Sequence, residues 1–273
     1  MLILLLAGCK PQPVTPTSAP SPIPTAPPGA NRPEFRAFWV DAFHPGIKSP
    51  AEVDKLIQDM QEAKANAVIV QVRRRADAYY NQTMEPRSDE LQKLPDYDPL
   101  AYLIQQAHDA NPPIEVHAWL VAMPVARPSE PPTSPEHLYF THGPTATGEA
   151  MWLSSSASGS LASEGNYFLD PGHPAAAQYL VEVVLNLVRH YDVDGIHLDY
   201  IRYSGAQWGY NPVSVARYAQ SSGATGAPMP TDPAWQQWRR EQVTHLMRQI
   251  YLESIALKPG IKVSAATIAW GAG

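Results

Sequence analysis

Cysteine is almost absent. Cys9 is the single one in 273 residues, which excludes an intrachain disulfide framework. Basic residues are in deficit, with 20 Lys and Arg against 26 Asp and Glu. The resulting formal charge of -6 argues against a nonspecific DNA or RNA binder, which carries a basic footprint. Beyond the first residues there is no run of about 18 apolar residues, so no bilayer-spanning helix is expected. No glycine-rich fingerprint follows the first strand-like segment, where Asp41-Ala42-Phe43-His44-Pro45 stand, and no P-loop occurs. Dinucleotide and nucleotide folds therefore lose support. What is present is a 44% apolar content with seven Trp and thirteen Tyr, enough for a sizeable core.

Residues 1–9 read Met-Leu-Ile-Leu-Leu-Leu-Ala-Gly-Cys. They resemble the end of a bacterial lipoprotein signal, in which the Cys becomes the lipidated first residue of the mature protein. Here that residue is Cys9. The apolar run is short and lacks a basic n-region, so a start further upstream is expected. Residues 10–33 hold nine prolines and no aromatic residue, a composition that reads as an extended tether. An anchor followed by a tether implies a domain held at a membrane on the extracytoplasmic side of the cell envelope.

Residues 34–273 form the domain, and they alternate. Strands are expected at 34–42, 66–72, 114–121, 193–199 and 261–267, where aromatic and branched residues cluster. Helices are expected at 51–64, 100–110, 174–190 and 234–256, opened by Ser49-Pro50, Asp98-Pro99, His173-Pro174 and Asp232-Pro233. Residues 122–172 and the stretch before Asp232 read as irregular. The order β-α-β-α-β-α-β-α-β implies an α/β fold with a mostly parallel sheet. Long βα loops and short αβ loops favour a TIM (β/α)8-type barrel with its site at one face. Five strands are too few to close such a barrel, so the sequence reads as truncated after about the fifth strand.

The chemistry-bearing residues sit at strand ends. In the segment 193–203, His197 and Asp199 share one strand face, and Tyr200, Arg202 and Tyr203 follow. A carboxylate in an apolar strand needs a partner. Asp199 reads either as half of a structural pair with Arg202 or as one of two glycosidase carboxylates. Its counterpart is expected at Asp41, in the loop near Glu164 or Asp170, or outside this sequence. Arg73, Asp77 and Tyr79 follow the second strand and suit a polar ligand or a structural network. His117 and Trp119 share a face of the third strand. His44, His117 and His197 with Asp41 and Asp199 also admit a metal reading, although neither an HxH pair nor HExxH occurs.

The chain resembles the bacterial glycosyl-hydrolase-like 10 family. The residues that carry this are Arg36-Ala37-Phe38-Trp39-Val40, residues 66–73, Asp77-Ala78-Tyr79-Tyr80, Asp98-Pro99-Leu100, residues 115–120, Leu169-Asp170-Pro171-Gly172, residues 191–203, Asp232 with Trp238-Arg239-Arg240, and residues 262–266. Asp170 stands where Asn is common, and Ser204-Gly205 where Pro is common. The resemblance implies a TIM-barrel glycoside hydrolase, a surface or periplasmic lipoprotein, with a related branch acting on peptidoglycan glycan strands. Asp199 is the expected catalytic carboxylate, with Asp41 as its favoured counterpart. Arg73, Asp77, Tyr79, His117, Trp119, His197, Tyr200 and Arg202 would bind substrate. No cofactor, metal or nucleic-acid partner is expected. The alternatives are a non-catalytic carbohydrate or cell-wall binding barrel and a metal-dependent hydrolase or deacetylase.

Overall fold

The computed structural model describes residues 34–268. The expected lipidation residue Cys9, the signal segment 1–9 and the tether 10–33 lie outside the described residues. The elements run β1 (Ala37–Val40), α1 (Pro50–Glu62), β2 (Ala67–Arg73), α2 (Pro99–His108), β3 (Glu115–Val121), β4 (Pro124–Ala126), α3 (Leu138–Thr141), β5 (Ala162–Ser163), β6 (Asn166–Phe168), α4 (Pro174–His190), β7 (Gly195–Asp199), α5 (Pro212–Ser222), α6 (Pro233–Leu257) and β8 (Lys262–Ala265).

Five strands pair in parallel in the order β1-β2-β3-β7-β8. These are the five strands expected from the sequence, and the architecture is a five-stranded portion of a (β/α) barrel. Two features depart from expectation. Residues 122–172, read as irregular, contain a small antiparallel sheet of order β4-β6-β5. The segment before Asp232 contains α5, ended by Gly223 in the left-handed region at φ 73.

Five helices start alike. A capping residue precedes Pro at the first helical position, and its side chain accepts a backbone N–H of the first turn. The caps are Ser49, Asp98, His173, Asn211 and Asp232. Pro lacks the N–H that would be unsatisfied there, and the cap satisfies another orphan donor.

The strands divide their side chains by parity. Val68, Val70 and Val72, then Val116, Ala118 and Leu120, then Ile196 and Leu198 join the main core with Val53, Met60, Leu103, Val184 and Leu187 from the helices. The opposite parity carries Trp39, Gln71, His117, Trp119, His197 and Ser264. Register aligns Gln71 with Trp119, Trp119 with His197, and His197 with Ser264. In a flat sheet β1 and β7 would lie roughly 14 Å apart. Yet the Trp39 ring meets that of His197 at 4.7 Å between centroids and that of Trp119 at 4.9 Å. The sheet therefore curls, and this parity forms its concave inner face.

Candidate active site at the carboxyl ends of the strands

Asp199 closes β7. Its Oδ1 accepts the Tyr200 N–H at 2.8 Å, and its carbonyl accepts the Ala122 N–H. Tyr200 follows at φ 51, a left-handed conformation that costs a non-glycine residue roughly 1 kcal/mol. That turn brings the Tyr200 ring under the Arg202 guanidinium, 4.9 Å from centroid to Cζ. Arg202 does not pair with Asp199, as sequence proximity suggested. Both its terminal nitrogens reach Glu164, at 3.0 and 3.1 Å. Glu164 lies in the β5–β6 turn, so the small sheet is pinned over the carboxyl end of β7.

Asp41 follows β1 and closes a turn on itself. Its Oδ1 accepts the Phe43 and His44 N–H groups at 2.8 and 3.0 Å, and the His44 ring lies 2.9 Å away. Burial works to raise its pKa, but the His44 ring and the two backbone donors outweigh it, so the carboxyl sits below its ordinary range. Asp41 is thus held ionised. Trp39, Asp41 and His44 line a groove of about 490 Å³ along β1 and α1.

His197 is buried on the inner face. Its Nδ1 faces Ser264 Oγ at 2.9 Å, while its Nε2 has no hydrogen-bond partner among the described residues. Burial lowers its pKa against the pull of the Asp199 charge. Trp119 Nε1 is likewise buried without a partner among the described residues.

Several expected binding residues stand elsewhere. Arg73 is fully buried, and its guanidinium grips Glu85 through two 2.7 Å contacts while also donating to the Val121 and Ala122 carbonyls. These contacts fix the loops after β2 and β3. Tyr79 is buried too, with its hydroxyl donating to Glu90 at 3.1 Å. His117 is enclosed between Glu115 and the Phe35 ring, and β7 passes it at Gly195. Asp170 is wholly buried, holding the Gly172 N–H and the Ser214 and Tyr203 hydroxyls. Burial pushes its carboxyl up. It supports loops and does not reach the open face.

Asp77 stays at the open rim. It accepts the Arg75 N–H at 2.7 Å and lines a second cavity of about 420 Å³ with Phe43, Arg74, Arg75, Arg127 and His137. Sequence reasoning did not assign this cavity. Its walls come from three separate loops, and only the triple Arg at 73–75 hinted at it. Among the described residues, no group of three His, Cys, Asp or Glu side chains is placed to hold one metal ion, and no helix is long and apolar enough to cross a membrane.

The family model described as glycosyl hydrolase-like 10 matches residues 34–271. Glycosyl hydrolase YngK of Bacillus subtilis (strain 168) is 30% identical over 244 residues, covering 84% of this chain and 44% of that protein. Glycosyl hydrolase DigH of Escherichia coli (strain K12) is 25% identical over 300 residues, covering 96% of this chain and 62% of that protein. The chain therefore spans less than two thirds of the length of these relatives. Among solved structures, α-L-fucosidase isoenzyme 2 from Paenibacillus thiaminolyticus superposes with TM-score 0.61 at 18% identity, covering 85% of this chain and 32% of that one. The PgaB (BpsB) glycoside hydrolase domain from Bordetella bronchiseptica gives the same score and identity, with 85% and 65% covered. At that identity the likeness is one of fold, and the fold is glycoside-hydrolase-like.

Proposed function

The chain belongs to the glycosyl hydrolase-like 10 family, and on that premise we propose that it carries the catalytic part of a glycoside hydrolase whose substrate is the peptidoglycan glycan strand. The observation that carries the reading is Asp199. It is a carboxylate at the carboxyl end of a barrel strand, half-exposed, beside the concave face where Trp39, Trp119 and His197 meet. Barrel enzymes place their chemistry at that end.

Hydrolysis of a glycoside passes through an oxocarbenium-like transition state. One carboxyl protonates the leaving oxygen, and a second carboxylate attacks the sugar or activates water. Asp41, held ionised by His44 and two backbone donors, suits the second role. Asp199 is the other carboxyl of the pair. Trp39 and Trp119 offer apolar faces to sugar rings. Tyr200, Arg202 and Asp77 shape the rim. The relatives' names, both glycosyl hydrolases, support the reaction class.

The same proposal includes the cell envelope. Cys9 is the lipidated residue, residues 10–33 are the tether, and the hydrolase domain works outside the cytoplasm within reach of its glycan. Support comes from the Leu6-Ala7-Gly8-Cys9 sequence and the proline-rich stretch behind it.

Incubation with purified glycan strands, with and without stem peptides, tests the reading. New reducing ends whose masses identify the broken bond support it. Intact strands that co-sediment with the protein would instead indicate a binding module, and cleavage abolished by chelators would indicate a metal-dependent enzyme.

A further inference from the structure

The 420 Å³ cavity beside the candidate active site is walled by the loops after β1, β2 and β4. Its size lies within the range of roughly 300–1,000 Å³ usual for small-molecule sites. Four arginines line it, and three of them are accounted for. Arg74 meets Glu90 at 2.8 Å and Asp77 at 3.4 Å. Arg87 donates to the Leu91, Leu94 and Tyr97 carbonyls. Arg127 faces Glu130 at 3.3 Å.

Arg75 differs. Its Nε donates to Asn166 Oδ1 at 2.9 Å, and among the described residues no carboxylate lies within ion-pair distance of its guanidinium. The nearby Asp77 carboxylate accepts Arg75's own backbone N–H and faces Arg74. Burial, then the like charges of Arg127 and Arg74, lower the Arg75 pKa despite Asp77 and Glu130. The Asn166 contact fixes the side chain by its Nε edge and leaves the two terminal nitrogens as donors. Such an edge matches a planar carboxylate, one N–H to each oxygen. Phe43 lies against both Arg74 and Arg75, at 5.4 and 5.9 Å, and is more than half exposed.

We propose that this cavity is a subsite for a carboxylate-bearing sugar unit, with the terminal nitrogens of Arg75 taking the carboxylate and Phe43 meeting the ring. The inference rests on the glycosidase reading above, and it deepens it by assigning a charge to the substrate. The cavity and the candidate catalytic groups are continuous in the chain. Phe43 lies two residues after Asp41. Asn166 lies two residues after Glu164, which holds Arg202 three residues beyond Asp199. The loops after β1 and between β5 and β6 therefore contribute to both the cavity and the rim around Asp199. The carboxylate has two chemical sources, a uronic acid or an ether-linked lactyl group on an amino sugar.

Calorimetric titration of the full chain tests this. One arm uses uronic-acid oligosaccharides, and the other uses peptide-free glycan oligomers carrying lactyl carboxylates. Each is compared with the same oligomer after its carboxyls are reduced to alcohols. Charge-assisted bonds contribute about 1.5–3 kcal/mol, so the acidic form in one arm should bind roughly 10- to 100-fold more tightly. Arg75→Gln should erase that ratio, and Arg75→Lys should keep part of it. The arm that shows the preference names the source. A ratio near one in both arms for the wild type, or a ratio preserved in a folded Arg75→Gln protein, overturns the subsite. Reducing ends counted in the same wild-type samples address the hydrolase reading separately. Preference without turnover would sink that reading and leave the subsite standing.

Discussion

Arg73 and Glu85 form a two-pronged ion pair, both contacts 2.7 Å, with neither side chain exposed. Tyr179 from α4 adds a hydrogen bond to the same carboxylate at 3.3 Å. The pair locks the excursion after β2 against the carbonyls that end β3. Breaking one side leaves the other charge buried, which costs about 3–5 kcal/mol. Glu85→Gln should therefore lower the urea midpoint by a corresponding amount. The double replacement Arg73→Met with Glu85→Leu should recover most of the loss. A single variant within 1 kcal/mol of wild type would show that the pair is not structural.

Glu164 and Arg202 pair at the rim with both side chains partly exposed. Such pairs contribute only about 0–1 kcal/mol to stability. The turn they hold is another matter, because it lies beside Asp199. Glu164→Gln should leave the melting temperature nearly unchanged and lower kcat/KM on glycan by about tenfold through loss of positioning. Paired measurement of melting and turnover separates the effects, and unchanged turnover would detach this hairpin from the site.

His137, His173 and His197 all have pKa values lowered chiefly by burial. Unfolded, each titrates near about 6.5. A folded value below the unfolded one means that the unfolded chain binds more protons as pH falls. The stability from these groups is fully present above about pH 6.5 and is lost as pH drops through their lower folded values. Thermal melts from pH 8 to 5 should show a flat region followed by a fall that starts near 6.5. His137→Gln should flatten part of that fall. A melting temperature that rises on acidification across this window would refute the assignment.

Gly195 begins β7 where the strand passes the buried ring of His117, and an added methyl group would overlap that ring. Glu115 and Phe35 flank the histidine on its other sides. Gly195→Ala should cost about 1–3 kcal/mol, as overpacking does. Chemical denaturation reads this directly, and a neutral substitution would mean that the inner face is looser than its contacts imply.

The sheet was readable because β1, β2 and β3 are dense runs of branched and aromatic residues, and because a cap followed by Pro marks the helix starts so consistently. The β5–β6 hairpin escaped notice. Its strands are two and three residues long, and its turn at Glu164-Gly165 is too short to leave a periodic signal. α5 escaped because only Ser214 and Tyr218 on it are buried, leaving a weak apolar stripe. Asp199 was legible as a charge ending an apolar strand. The fate of Arg73 was not, since its partner Glu85 sits in a loop 12 residues on with no pattern to mark it. The Arg75 cavity was hidden for the same reason, as Asn166 is 91 residues away.

The most direct test of the central claim is glycan cleavage by the wild type beside Asp199→Asn. The substitution keeps the size of the side chain and its acceptor for the Tyr200 N–H, so the fold should survive with an unchanged circular dichroism spectrum and melting temperature. Peptidoglycan strands would be incubated with each protein and new reducing ends counted by mass spectrometry. The account predicts products from the wild type and a loss of at least about 10²-fold in the variant, the scale of a missing acid–base group. Full turnover by a folded Asp199→Asn protein would contradict it.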